Sequence, residues 1–222
     1  MKNTPIHDDF NKSLLPLIPE DASRVIEVGC SSGALARAFL AINRQCEYIG
    51  IEVDSDCAEV AKKNCTKVLV GNIEDMEERV FRTLCPSDCW IFGDVLEHLY
   101  DPWSVLRRVK SSLRQGGSVV ACIPNAQHWS VQARLNVGSF HYEDSGLLDR
   151  THIRWFTRVT MLELFKSSGF EIVAGGGRIF DEPQRASALE GVRALAKALG
   201  ADPDMAANDA TPLQWVVRAV SV

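Results

Sequence analysis

The sequence predicts an α/β fold: a doubly wound, mostly parallel sheet of seven strands with helices on both faces and an insertion after the fifth strand. Three observations carry this. Between residues 24 and 123, short runs rich in Val and Ile alternate with stretches of helical pattern, and such runs read as strands buried on both faces of a parallel sheet. The first run ends in a glycine-cornered turn, Gly29 to Gly33, that leads into a helix. The chain has 222 residues, 46% hydrophobic and 24% charged, enough to bury a sizeable core as one domain.

Taken in order, residues 1–23 are expected as an N-terminal helical segment. The strands follow as "RVIEVG" (24–29), "EYIGIEV" (47–53), "KVLVGN" (67–72), "CWIFGDV" (89–95) and "GSVVACIP" (117–124). Helices are expected between them at 33–42, 55–64, 76–84 and 102–114. The last is signed by Asp101 as N-cap, Pro102 at the first helical position, apolar Val105, Leu106, Val109 and Leu113, and Gly116 and Gly117 as the stop. Right-handed crossovers put such helices on both faces. The alternation then breaks. Residues 125–156 form an excursion, a helix over 127–136 and then the loop "SFHYEDSGLLDRTHIRW". Connections are typically ~4–6 residues, and much longer ones are usually functional or disordered. Its aromatics and mixed charges argue for order, so this is the expected lid or substrate segment. Helix 157–168, strand 170–180, helix 184–199 and strand 213–220 complete a single domain over residues 1–222, with neither repeat nor linker.

Composition narrows the function. A net charge of −5 argues against a nucleic-acid partner, which wants a basic face. No apolar run reaches the ~18 residues of a membrane span. The start "MKNTPIHDDFNKSLL" lacks the apolar core of a secretory signal. The seven cysteines, at 30, 46, 57, 65, 85, 89 and 122, include no C-x-x-C pair. They read as reduced thiols of a cytoplasmic protein, and no metal site is expected.

The glycine turn is where a ligand would meet the backbone. A dinucleotide site wants G-x-G-x-x-G, and from Gly29 those positions hold Gly29, Ser31 and Ala34. A P-loop needs a Lys after its last glycine, and none follows Gly33. Phosphate is therefore disfavoured. Instead the strand ends with an acid, Glu27, which repels phosphate and suits a cationic or amino-bearing ligand.

At these residues "VIEVGCSSG" resembles motif I of the class I S-adenosylmethionine-dependent methyltransferases, matching at Glu27, Gly29 and Gly33, with Ser31 in place of the middle glycine. The resemblance continues in order. "GIEVD" places Glu52, followed by Val53, where the family's acid binds the ribose hydroxyls; a carboxylate can accept from both hydroxyls of a diol. "GNIED" places Asn72 and Ile73 at the adenine, and "GDVLEHLYDP" places Asp94 and Val95 facing the cofactor. "IPNAQHWSVQARLNVGSFHYEDSGLLDRTHIRWFT" (123–157) is similar to a bacterial small-molecule subgroup. The resemblance covers about residues 20–220. It implies a Rossmann-like domain, S-adenosylmethionine as cofactor, and a small-molecule acceptor, foremost a hydroxyl of a saccharide or natural-product intermediate. It also implies a possible partner glycosyltransferase of the same pathway.

For chemistry, His152 is expected to remove or relay the acceptor proton, oriented by Asp149 three residues before it, with His128 the next candidate. Asn125 is a candidate for lining the site. Glu97 and His98 divide between site wall and structural bonding, and Trp129, Trp155 and Phe156 between substrate floor and core. His7 and His141 read as surface residues. Other classes stay open: a non-catalytic methyltransferase-like binding module, a transfer to nitrogen or carbon, and, short of its glycines, a nicotinamide-dependent oxidoreductase. DNA amino-methylation lacks its [DN]-P-P-[YF] motif, "DVLEH" standing there instead.

Overall fold

The computed structural model describes residues 8–222. Its strands are β1 (Arg24–Val28), β2 (Glu47–Glu52), β3 (Lys67–Val70), β4 (Ser87–Gly93), β5 (Leu113–Pro124), β6 (Phe170–Arg178) and β7 (Gln214–Ser221). They form one sheet in the order β3-β2-β1-β4-β5-β7-β6. Neighbours from β3 to β5 are parallel, and β7 runs antiparallel to both β5 and β6. The helices are α1 (Ala34–Ile42), α2 (Ser55–Ala61), α3 (Glu78–Phe81), α4 (Pro102–Ser112), α5 (Trp129–Asn136), α6 (Arg158–Ser167), α7 (Arg185–Ala198) and α8 (Pro203–Ala210).

The sheet buries both faces, and alternation along each strand sorts the side chains. Ile26, Val28, Trp90, Phe92, Val119, Ala121 and Ile123 point to one core, with Leu106, Val109, Leu164 and Phe165 from the covering helices. Val25, Cys89, Ile91, Val120 and Cys122 point to the other, with Leu35, Ala36 and Phe39 of α1. Trp90 anchors the first core: it stacks on Phe81 with ring centroids 5.5 Å apart, and its indole N–H donates to Ser87 Oγ at 2.7 Å, meeting the need of a buried aromatic with a polar edge.

The order in which strands are added reverses between β1 and β4. From β1 the chain winds outward through β2 and β3; β4 and β5 lie on the other side. That is the switch point of an open α/β sheet, and ligands bind outside the carboxyl ends of the strands there.

Several expectations shift. Residues 1–7, His7 among them, lie outside the described residues. From residue 8 to 23 the expected helical segment is, among the described residues, one 3-10 turn, Leu15–Leu17; Pro16 and Pro19 remove the donors a longer helix would use. α4 stops at Ser112, and Leu113 already pairs with Ser87 of β4. The ladder resumes at Cys89–Ser118, so Gly116 and Gly117 lie in an irregularity within β5. Strand β4 ends at Gly93 because Asp94 turns away with φ 56°. Helix α8 was not expected, although Asp202 caps it with Pro203 at its first position, the same signature as Asp101 and Pro102.

Candidate active site

The turn after β1 is shaped by three left-handed residues, Gly29 (φ 70°), Ser31 (φ 47°) and Gly33 (φ 74°). A Cβ on Gly29 would lie 2.7 Å from Val95 Cγ2, so only glycine lets β1 and the turn after β4 approach this closely. Glu52, at the end of β2, ties the turn down. Its Oε2 accepts from the Ser31 N–H at 2.8 Å, and its Oε1 accepts from the N–H groups of Val53 and Asp54 at 2.8 and 3.0 Å. Three backbone donors fix a carboxylate of set orientation at the rim.

Above this turn opens a cavity of about 560 Å³ lined by Gly29, Ser31, Glu52, Val53, Asn72, Ile73, Asp94, Val95, His98 and Thr151, among others. A depression of similar volume, about 590 Å³, lies at the amino ends of β1 and β2, away from the switch point. The cavity thus gathers all the residues proposed for the cofactor except Glu27 and Gly33. Gly33 caps α1 instead. Glu27 lies beneath the turn, 6% exposed, where Tyr48 donates to its Oε2 at 2.9 Å. Burial pushes its pKa well above the usual carboxylate range, with the Tyr48 hydrogen bond opposing.

At the β3 side, Asn72 forms a side-chain turn, accepting from Glu74 N at 3.0 Å and donating to Asp75. Glu74 accepts from the N–H groups of Tyr100 and Asp101, closing that end of the cavity. On the β4 side, Asp94 Oδ1 accepts from Gln214 Nε2 at 2.6 Å, and Gln214 Oε1 accepts in turn from Arg178. Burial raises the Asp94 pKa. Gln214 and Arg178 lie on β7 and β6, more than eighty residues beyond Asp94 and without a local motif to mark them.

The excursion folds back onto this edge. Asn125 bridges to Phe156, and the N–H groups of Ile153 and Arg154 donate to the carbonyl of Glu97 at 3.0 and 2.9 Å. Thr151 and His98 reach the cavity; His152 lies behind His98, ring centroids 4.9 Å apart. Burial, then the neighbouring His98, lowers the His152 pKa.

Three expectations fail on this geometry. Asp149 does not orient His152: its Oδ1 accepts from Thr151 N and Oγ1 at 2.7 and 2.6 Å, and these bonds outweigh burial to hold its pKa low. His152 Nδ1 instead meets the Leu147 carbonyl at 3.2 Å, and its Nε2 faces Glu97 Oε1 at 3.9 Å. His128 is remote from the cavity: it is fully buried, caps α5, bonds Ser130 Oγ at 2.8 Å and faces Glu182 at 3.4 Å. Asn125 does not line the site either, since its amide donates to the carbonyls of Asp209 and Pro212, both at 2.8 Å. Glu97, by contrast, is 1% exposed, and neither of its oxygens has a hydrogen-bond partner. Burial, then Asp94, pushes its pKa well up.

Sheet order, switch-point cavity and a carboxylate at the end of the second strand define a Rossmann-like, class I S-adenosylmethionine-dependent methyltransferase. The chain belongs to the methyltransferase domain family, whose model matches residues 7–174. It is similar to an uncharacterized protein of Methanocaldococcus jannaschii, 22% identical over 193 residues that cover 85% of this chain and 83% of that one. It is similar also to the ubiquinone biosynthesis O-methyltransferase of Acinetobacter baylyi, 27% identical over 124 residues, 52% of this chain and 51% of the enzyme. The crystal structure of magnesium protoporphyrin IX methyltransferase from Synechocystis, with bound S-adenosylhomocysteine, shares the fold with a TM-score of 0.57 at 11% identity, covering 89% of this chain and 74% of that one. No helix of the described residues is long and apolar enough to cross a membrane.

Proposed function

We propose that the protein moves the sulfonium methyl of S-adenosylmethionine to a hydroxyl of a small molecule, a saccharide or natural-product intermediate, in the cytoplasm. The observation that carries this is the two-ended cavity. Glu52, Asn72 and Ile73 line one end; Asp94, His98 and Thr151 line the other. At the first end Glu52, with an acceptor position left on Oε2, accepts from the ribose, Val53 flanks the ribose, and Asn72 and Ile73 face the adenine. Gly29, Ser31 and Val95 border the sulfonium, while Glu27 and Gly33 act by shaping the turn beneath it. The O-methyltransferase among the relatives favours oxygen as the acceptor atom.

The leaving group is a neutral thioether, so the chemistry asks little beyond alignment and loss of one proton. Holding oxygen, methyl carbon and sulfur in line supplies up to ~7–11 kcal/mol in well-oriented systems. The acceptor lies against His98 and Thr151 under the returning end of the 125–156 excursion, and its proton is lost at the Glu97–His98–His152 cluster. Incubation of the enzyme with S-adenosylmethionine and a panel of phenols, saccharides and amines, read by mass spectrometry, tests the proposal. Methylated hydroxyl compounds that disappear with the His98→Ala variant are expected; methylation of amines alone would overturn the hydroxyl assignment.

A further inference from the structure

We propose that Glu97, His98 and His152 form a divalent-cation site at the acceptor end of the cavity, where the ion binds and acidifies the acceptor hydroxyl. This rests on the methyl-transfer reading of the same cavity. One donor atom from each of the three residues lies within 4.8 Å of the others. Small side-chain rotations close that spacing onto one ion with bonds of ~2.0–2.2 Å.

Three features set the cluster apart from an ordinary polar patch. The first is Glu97, buried with both oxygens unpartnered. Buried polar groups are normally hydrogen-bonded, so a buried carboxyl with neither oxygen satisfied is costly, and a bound cation would satisfy it. The second is the tautomer of both rings. His98 Nδ1 is 3.1 Å from the Thr151 carbonyl, and His152 Nδ1 is 3.2 Å from the Leu147 carbonyl. A carbonyl only accepts, so each Nδ1 carries the proton and each Nε2 offers a lone pair. Backbone carbonyls orient metal-binding histidines in this way. The third is the stitching of the two segments: the Glu97 carbonyl accepts from Ile153 and Arg154, holding the 3-10 turn of Glu97 and His98 against the residue after His152.

Three protein ligands, with His98 and Thr151 open to the cavity, leave coordination positions for a substrate, the arrangement of catalytic rather than structural sites. Two imidazoles and one carboxylate favour a first-row transition ion or zinc over magnesium or calcium. In the reaction the acceptor oxygen binds the ion, which lowers the pKa of its O–H, and the proton leaves to water. The oxygen lone pair then bonds the methyl carbon as the carbon–sulfur bond breaks, its electron pair remaining on sulfur. The ion is unchanged.

Untagged protein freed of metal with a chelator and titrated with Co²⁺ tests this, with S-adenosylhomocysteine binding measured on the same samples. One equivalent of Co²⁺ is expected to give visible bands without the intense near-ultraviolet band of cysteine thiolate ligands. Glu97→Gln, His98→Ala and His152→Ala should each weaken Co²⁺ binding by about tenfold or more, while the exposed His141→Ala leaves it unchanged. Hyperfine-shifted Nδ1–H resonances of two histidines in the Co²⁺-loaded wild type report the ligands without any substitution. Failure of Co²⁺ to bind, equal binding by the cluster variants, or absence of those resonances overturns the site. S-adenosylhomocysteine binding that persists in those samples leaves the methyltransferase reading standing, and its loss with Co²⁺ binding intact overturns that reading alone.

Discussion

Glu52 is held by three backbone N–H groups before any ligand arrives, so its orientation is set in advance for the contact to the ribose proposed above. Removing it forfeits charge-assisted bonds of ~1.5–3 kcal/mol. Glu52→Ala should therefore weaken S-adenosylhomocysteine binding about tenfold or more. The wild type should also discriminate against the 2′-deoxy analogue while the variant does not; equal discrimination by both would reduce Glu52 to a loop anchor. Glu27 makes a different prediction. A buried acid with a raised pKa contributes most below its unfolded value and loses that contribution as pH rises through the folded one. Glu27→Gln keeps an acceptor for Tyr48 and removes the buried charge. Urea unfolding should find the variant equal to wild type in acid and more stable near about pH 8, by on the order of 1–3 kcal/mol. A difference independent of pH would contradict this. Glu52 was legible in the sequence because strand-end spacing is local information. The partner of Glu97 and His98 was not, because His152 lies over fifty residues away and only folding brings it near. The Asp149–His152 spacing misled, since the carboxylate bonds its nearer neighbour Thr151.

At the level of elements, the excursion 125–156 is a closed loop and not a loose flap. Asn125 and Phe156 meet at its base, with Ala126 N donating to the Phe156 carbonyl at 2.8 Å. The Asn125 amide meanwhile satisfies two buried carbonyls at the end of α8 and the turn beyond it. Asn125→Ala leaves both unpaired, for a cost of about 2–4 kcal/mol. Faster amide exchange should follow across 125–156 and 209–213 together; exchange confined to one of the two would disprove the shared anchor. The strands and long helices were readable from their apolar period and caps, and the insertion from its length. Helix α8 carried a readable Asp-Pro start, but it buries only Ala207, Asp209 and Ala210, with little apolar pattern to draw attention to it.

Across the whole molecule, two cores brace the sheet from either side, and the cavity lies at the carboxyl ends of β1, β2, β3 and β4. A ligand that binds there and not to the unfolded chain stabilises the fold by mass action. At a hundredfold excess over its dissociation constant, S-adenosylhomocysteine should add ~2.7 kcal/mol, a rise in Tm of about 5–10 °C for a domain of this size. An unchanged Tm at that excess would contradict binding to the folded state. Family and fold were accessible from the order of the motifs, whereas β7, inserted between β5 and β6, becomes a site-bearing strand only through the Gln214 contact to Asp94.

The most direct measurement is a calorimetric titration of the wild-type protein with S-adenosylhomocysteine and, separately, with NAD. One saturable site for S-adenosylhomocysteine with a micromolar Kd, about −8 kcal/mol, and no heat of binding with NAD is the expected result. Saturable NAD binding with no response to S-adenosylhomocysteine would contradict a methyltransferase site at this switch point.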